Sequence, residues 1–237
     1  VMMVGVFRSK KEENVLKGIR LFEPFSKEEL GNICKIGGPT AIQGMVYCMI
    51  SMVLTRMVAA FGAEAIATQR VGGQIESVSW NTADGFAAAL NAFVGQNYGA
   101  KKMDRVQKGY RISFWTVAIW GALIMLAFII FPGPIAGVFF HEEKAMEIAI
   151  SYLIIIGFSE AFMCVELMTI GALSGLGRTK LCSVISITAT SMRIPLAMVL
   201  SRTSLGLDGI WWALTLTSVA KGIIFYLTFR YQMREKC

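Results

Sequence analysis

The sequence predicts an all-α, polytopic membrane protein, and three observations support this. Hydrophobic residues make up 55% of the chain and the mean hydropathy is +0.57. Charged residues make up only 16%, against roughly 25% in ordinary soluble domains. Several apolar runs approach or exceed the roughly 20 residues that cross a hydrocarbon core about 30 Å thick. A soluble core does not need runs of that length, so we expect them to span a bilayer.

Six spans follow from the lengths of the apolar runs and from the charged segments between them. Each is long enough to cross the bilayer, and the longer ones must tilt or project from it. The predicted spans are residues 34–61, 64–98, 109–131, 144–173, 181–200 and 207–229. Residues 1–7 form an apolar stub that runs straight into a charged segment. A signal peptide has the opposite order, so we interpret the stub as the end of a preceding helix and the sequence as a fragment.

Basic residues are concentrated in alternate loops, which predicts the orientation. They precede the first span, follow the second and fourth spans, and recur in the tail. The intervening loops are poorer in them. Basic loops remain in the cytoplasm, so both termini are expected on the cytoplasmic side. The expected location is the cell membrane, which is the inner membrane of a bacterium. The net charge of +7 is then a topology signal. No basic stripe interleaved with aromatic residues indicates a nucleic-acid partner.

The second predicted span carries two carboxylates, Glu76 and Asp84, in an unusually polar stretch. Residues three and four apart share a helix face, which predicts one polar stripe opposite an apolar face. A charge facing lipid costs about 2.5–3.5 kcal/mol on insertion scales. We therefore expect Glu76 and Asp84 to line a cavity, the alternative being neutral, hydrogen-bonded packing residues. The stripe comprises Gln69, Gly73, Glu76, Trp80, Asp84 and Asn91.

The fourth predicted span contains two further acids, Glu160 and Glu166. Six residues along a helix correspond to an offset of roughly 120°, so the two side chains do not share a face. We expect at most one of them to point into the same cavity as Glu76. Packing roles remain the alternative for both.

The sequence offers little support for an enzyme. Its one histidine, His141, lies in HEEKA, which lacks the second histidine of a zinc-binding HExxH helix. There is no GxSxG nucleophile motif and no cofactor motif. We therefore expect neither catalysis nor a bound cofactor.

Five motifs, in order, resemble the carboxy-terminal half of a multidrug and toxic compound extrusion (MATE) transporter. The resemblance covers essentially the whole chain and implies twelve helices in two six-helix lobes around a central cavity. It divides this chain into the end of a helix plus a cytoplasmic inter-lobe linker (1–30), one lobe (31–229) and a tail (230–237). The motifs are IGGPTAIQ (36–43), QIESVSW with VGQNYGA (74–80, 94–100), GALSGLGRTK (171–180), MRIPLAMVL (192–200) and GIWWAL (209–214).

The resemblance implies export of cationic, amphipathic compounds in exchange for H⁺ or Na⁺, with the amino-terminal lobe as a missing partner. Sodium-coupled members carry an acid on the tenth helix where Met163 aligns, between Glu160 and Glu166. Their seventh-helix acid has no counterpart here, and Gln43 is the nearest polar residue. Other members place their coupling acids in the amino-terminal lobe. The coupling ion therefore stays open.

Two further features bear on transport. Trp80 offers an aromatic face to an organic cation, worth about 0.5–2 kcal/mol, or packs at the membrane interface. Gly37, Gly38 and Pro39 are a candidate hinge, because Pro and Gly interrupt transporter helices where cavities form. Gly171, Gly175 and Gly177 instead indicate close packing and a helix-ending turn.

Two alternatives to drug export stay open. A flippase for lipid-linked oligosaccharides shares the two-lobe architecture, but it should favour cationic cavity residues to hold pyrophosphate. Arg70 is the only cation near the predicted acidic stripe, which favours cationic cargo. The other alternative is a stand-alone six-helix membrane protein that pairs with itself.

Overall fold

The computed structural model describes residues 26–234, apart from the side chains at positions 27, 29, 32 and 36. The predicted helix end and most of the predicted linker, residues 1–25, lie outside the described residues, as do residues 235–237. The chain divides into two units, Val1–Gly38 and Pro39–Cys237. In the first, residues 27–38 are helical, and the second holds the rest of the helices.

The described residues form nine helices and no strand, which confirms the predicted all-α class. α4 is short and begins at Pro132, a residue favoured at the first turn of a helix. α9 remains helical up to Arg234, beyond the start of the predicted tail. The helices are α1 Lys27–Ala59, α2 Ala63–Gly99, α3 Met103–Ile130, α4 Pro132–Gly137, α5 Glu143–Gly157, α6 Glu160–Gly175, α7 Thr179–Ser191, α8 Arg193–Leu200 and α9 Leu207–Arg234.

Each of the six predicted spans coincides with one helix or with one broken helix. Within the described residues, four segments are long and apolar enough to cross a membrane, or five if α5 and α6 form one span. α2 is not among them, although its 37 residues extend roughly 55 Å at 1.5 Å per residue. Its polar residues set it apart, as the sequence predicts.

Two of the predicted spans are interrupted, which the length of an apolar run does not predict. α5 and α6 meet at a bend of 50°, where the Ser159 hydroxyl donates to the Ile156 carbonyl at 2.8 Å. Such a side-chain bond competes with the helical backbone bonds. α7 ends at Ser191 because Pro195 has no N–H to donate to the Ser191 carbonyl. The first of these spans continues in a separately oriented helix, whereas α7 and α8 together form one span, Thr179–Leu200, with a local interruption.

α2 and α6 approach each other closely through glycines. A Cβ atom on Gly171 would collide with the backbone of Ala87, and one on Gly175 would lie 2.6 Å from the Asn91 carbonyl oxygen. Gly177 has φ +75° and forms the turn after α6. The predicted packing and turn roles of these glycines are confirmed. Small residues at this spacing let membrane helices pack backbone to backbone.

Charged groups are sorted between the two ends of the bundle. Lys108 and Arg111 on α3 share a surface crevice with Arg230 and Arg234 on α9. α3 follows directly after the end of α2, so this basic crevice lies at that end of α2. At the start of α2, the Glu64 carboxylate lies 3.5 Å from the Lys144 ammonium nitrogen. Two of the basic segments that the sequence predicts on one side, at the start of α3 and the end of α9, thus come together at one end.

Candidate functional site

A cavity of about 300 Å³ lies inside the second unit, among α1, α2, α5, α6, α7, α8 and α9. Both helix interruptions border it, since Ser159 lies at the first break and Arg193 follows the second. Discontinuous helices line the substrate and ion sites of many transporters, because freed backbone groups and helix ends meet there. The polar residues that line the cavity are Gln43, Tyr47, Glu76, Trp80, Ser159, Glu166, Ser186, Thr190, Arg193, Ser218 and Lys221.

A buried ion pair crosses the cavity between α6 and α9. The Lys221 ammonium donates to Glu166 Oε1 at 2.8 Å. Their side chains are only 8% and 6% exposed, respectively. The second oxygen of Glu166 is buried and has no hydrogen-bond partner among the described residues. The two charges neutralise each other, and one carboxylate oxygen remains available.

Arg193 is the second buried cation of the cavity. Its Nε donates to Thr217 Oγ1 at 3.0 Å and its Nη2 donates to Ser218 Oγ at 2.9 Å. Both acceptors are neutral hydroxyls on α9. Among the described residues, Arg193 has no carboxylate within 4.0 Å. Its charge is therefore held by hydroxyl dipoles and not by an ion pair.

Glu76 is half-buried on α2 and accepts a hydrogen bond from the Tyr152 hydroxyl on α5. Tyr152 is itself held edge-on against Trp211, with ring centroids 5.0 Å apart. Gly72 makes room for the Tyr152 ring, because a Cβ there would overlap it. Among the described residues, Glu76 takes part in no ion pair. It is an oriented carboxylate without an ion-pair partner among the described residues, and Arg193 acts on it only at longer range.

Glu160 lies next to the cavity but does not line it. It is fully buried, and neither carboxylate oxygen has a hydrogen-bond partner among the described residues. Ser79, which lies beside it, pairs with Cys164 Sγ at 3.2 Å. A carboxylate in such surroundings is costly when charged.

The structure brings together four of the predicted binding residues, namely Gln43, Glu76, Trp80 and Glu166. Only one acid of the fourth predicted span reaches the cavity, as expected, and it is Glu166. Trp80 lines the cavity and is 41% exposed. The binding roles of all these residues stay predictions.

Asp84 is exposed and does not line this cavity, contrary to the expectation that it shares one with Glu76. The reason is geometric. Eight residues turn a helix through roughly 800°, which leaves the two side chains about 80° apart and 12 Å apart along the axis. Gly37, Gly38 and Pro39 lie within α1, which is helical throughout, and their hinge role stays a prediction.

The expectation that Arg70 is the only nearby cation is wrong. Arg70 is exposed and does not line the cavity, whereas Arg193 and Lys221 do. The predicted stripe belongs to one helix, whereas these cations come from α8 and α9. A detectable signal was present, because each lies inside a predicted span, where a charge normally faces the bundle interior.

A bundle of apolar helices, two of them broken beside a cavity that holds buried charges, defines a polytopic helical membrane protein. The chain matches the MatE family over residues 39–199, and it therefore belongs to that family. It is 27% identical to a probable multidrug resistance protein NorM of Thermotoga maritima, over 98% of this chain and 51% of the relative. It is 24% identical to a probable multidrug resistance protein YoeA of Bacillus subtilis, over 100% of this chain and 51% of the relative.

Solved structures show the same fold. The Vibrio cholerae MATE transporter VcmN, in its bent form, superposes with a TM-score of 0.81 at 19% identity, covering 94% of this chain and 50% of VcmN. A MOP superfamily transporter from Pyrococcus furiosus superposes with a TM-score of 0.82 at 21% identity, covering 92% and 50%. The latter is described as having a binding pocket of reverse polarity that suggests a different function. The chain spans about half the length of the curated relatives it matches, and the predicted MATE-type lobe is confirmed.

Proposed function

We propose that this chain is one half of a cation-coupled antiporter that exports cationic, amphipathic compounds. The names of its relatives, which are probable multidrug resistance proteins, support drug export. The observation that carries the proposal is Glu76, a carboxylate at the cavity that is held by Tyr152 and has no cation paired with it among the described residues. Transport, and not catalysis, is the activity we assign.

Antiport follows from the cost of an unpaired charge away from bulk water. A proton, a sodium ion or an organic cation at Glu76 each lowers that cost, so the three compete for one carboxylate. Trp80 lines the same cavity and adds an aromatic face that favours a flat organic cation. Exchange requires that the cargo and the coupling ion do not bind Glu76 at the same time. We propose H⁺ or Na⁺ as the coupling ion and no further cofactor.

Transport also requires a second wall, which we assign to a partner lobe. The cavity described here is lined by helices of one lobe, and the matched transporters are twice as long. Bending at Gly37, Gly38 and Pro39 would let the lobes move between inward-open and outward-open states. The breaks at Ser159 and Arg193 provide further points at which helices next to the cavity can reorient.

Glu76→Gln is expected to reduce ethidium efflux to the level of an empty-vector strain. The substitution keeps the shape of the side chain and a hydrogen-bond acceptor for Tyr152, but it removes the charge that recruits a cation. The measurement is ethidium efflux from an efflux-deficient host that expresses the complete reading frame. Protein abundance is measured in parallel, so that a loss of efflux is not a loss of protein.

Glu147, an exposed acid on α5, supplies the matched control, and Glu147→Gln should leave efflux unchanged. Asp84→Asn should have a much smaller effect than Glu76→Gln, because Asp84 does not line the cavity. Robust efflux in the Glu76→Gln strain would show that the coupling carboxylate lies elsewhere. A wild-type strain without ethidium efflux would contradict the proposed cargo class.

We also propose that the basic end of the bundle faces the cytoplasm of a cell-membrane protein, with both termini inside. Residues at opposite ends of α2 test this in a variant whose native cysteines are replaced. Glu143→Cys should react with a membrane-impermeant maleimide on intact cells, since Glu143 neighbours Lys144 at the end marked by Glu64. Lys102→Cys should react only after permeabilisation. The reverse pattern would invert the topology.

A second candidate function is favoured by the two buried cavity cations. Arg193 and Lys221 are the residue types that a flippase for lipid-linked oligosaccharides needs to hold pyrophosphate. The Pyrococcus furiosus transporter with a pocket of reverse polarity has the same fold. Efflux of ethidium by the wild-type protein would argue against this candidate.

A further inference from the structure

We propose that Arg193 forms a subsite for an anionic group, a carboxylate or phosphate, on the transported compound. The inference rests on the proposed transport function and refines its substrate class. The transported compound then has an anionic group as well as a cationic group. Arg193 then determines specificity at the end of the cavity that lies against α8 and α9.

The balance of charges in the cavity is the first argument. Its charged lining residues are Glu76, Glu166, Arg193 and Lys221, two acids and two bases, with a formal sum of zero. A pure cation would leave the occupied cavity with a net positive charge. A compound that carries both signs keeps the sum at zero, which lowers the free-energy cost of placing charge in a site of low dielectric constant.

The pairing of those charges is the second argument. Glu166 and Lys221 neutralise each other across 2.8 Å, which removes both from the count of unpaired groups. Glu76 and Arg193 remain, and each is hydrogen-bonded to hydroxyl groups only. Glu76 and Lys221 both lie within electrostatic range of Arg193. Neither group lies within ion-pair distance of Arg193, so the guanidinium has no paired counter-ion among the described residues.

The chemistry of Arg193 is the third argument. The residue is only 8% exposed, and a buried cation without a counter-ion is unfavourable. A guanidinium carries five N–H donors in a planar fork that matches the geometry of carboxylate and phosphate. Two of those donors hold Thr217 and Ser218. The others are available to an anionic group that enters the cavity.

The location of Arg193 is the fourth argument. It is the first residue of α8, directly after the break that Pro195 imposes on this span. Here the interruption and the buried guanidinium occur at the same position, within one span. An anion that enters the cavity would therefore meet the guanidinium where the helix is interrupted.

Two dyes that differ only in one acidic group test the proposal. Rhodamine B has a carboxylate beside its delocalised cation, and in its ethyl ester that carboxylate is blocked. Binding of each dye to the purified full-length protein is followed by fluorescence polarisation. Arg193→Gln should weaken rhodamine B binding by roughly tenfold or more, as expected for a lost charge-assisted hydrogen bond. Binding of the ester should change by less than about twofold, because a neutral ester accepts a weaker hydrogen bond than a carboxylate does.

Two further variants control for the geometry of the guanidinium and for the loss of an arginine outside the cavity. Arg193→Lys keeps the charge without the planar fork, so it should lose less affinity for rhodamine B than Arg193→Gln. Arg70→Gln removes an exposed arginine that does not line the cavity, and it should affect neither dye. Equal losses for acid and ester in Arg193→Gln, or no loss for either, would overturn the proposal.

The same data separate this inference from the proposed function. Wild-type binding of the ester but not the acid would overturn the anion subsite and leave cation export standing. Wild-type binding of the acid but not the ester would support the subsite and contradict export of simple cations. Binding of neither dye would overturn both.

Anionic phospholipid is the other source of the same chemistry. The measurement is therefore repeated in nanodiscs of phosphatidylcholine alone and in nanodiscs that also contain phosphatidylglycerol. An Arg193-dependent loss for rhodamine B in both compositions supports a cargo site. A loss that disappears when phosphatidylglycerol is present would assign Arg193 to a lipid headgroup and overturn its role in cargo specificity.

Discussion

Lys221→Met is expected to lower the free energy of unfolding by about 3–5 kcal/mol, the cost of breaking a buried ion pair by removing one partner. The substitution keeps an unbranched side chain of similar length, so packing on α9 is largely preserved. It leaves the Glu166 carboxylate buried and unpaired, with one oxygen that already has no hydrogen-bond partner among the described residues. Thermal unfolding of the purified protein in detergent provides the measurement.

The double variant Glu166→Gln with Lys221→Met is the matched comparison. It removes both charges, so it should recover most of the lost stability, because replacing a whole buried pair is often nearly neutral. Lys180→Met, at an exposed lysine, should have little effect. If the single and double variants were equally stable, the unpaired Glu166 carboxylate would not be the cause of the lost stability.

Gly171→Leu is expected to prevent α2 and α6 from packing and to abolish the monodisperse folded protein. Even a Cβ atom at this position would overlap the carbonyl group of Ala87, and backbone on both helices cannot give way as a flexible side chain can. Gly171→Ala should retain the fold but lose about 1–3 kcal/mol through overpacking. Size-exclusion profiles and thermal unfolding in detergent distinguish these outcomes.

Gly85 on α2 supplies the control, since a Cβ added there meets nothing within 4 Å. Gly85→Ala should leave stability unchanged or raise it slightly, because alanine loses less backbone entropy in a helix. Tolerance of Gly171→Leu, with a normal elution profile and an unchanged melting temperature, would show that the two helices are not in backbone contact.

The predicted spans and the described helices agree because spanning is a local property. A segment of roughly 20 apolar residues crosses the bilayer whatever its neighbours do. The polar character of α2 and the packing roles of Gly171 and Gly175 were detectable for the same reason, since each depends on spacing within one helix. The interruptions near Ser159 and Pro195 cannot be predicted from the length of an apolar run, because each depends on a single residue that disturbs the backbone hydrogen bonds.

The candidate site was only partly predictable. Gln43, Glu76, Trp80 and Glu166 were anticipated at the cavity and lie there. Each of them is a polar residue within an apolar span, and such residues normally face the interior of the bundle or a cavity. The helical spacings of three and four predict Asp84 at the same cavity only if they hold over the eight residues that separate it from Glu76. Over that distance the accumulated rotation and rise separate two side chains of one helix.

The sequence by itself determined that the chain is a helical membrane protein, where its spans run, and that it carries charges that must avoid lipid. Only the tertiary structure decided which of those charges meet. Glu166 and Lys221 are 55 residues apart, and their contact depends on how α6 and α9 are rotated about their own axes. That rotation is set by packing among several helices at once. As a result, the acidic stripe predicted on one helix contributes to a cavity that is lined by two acids and two bases.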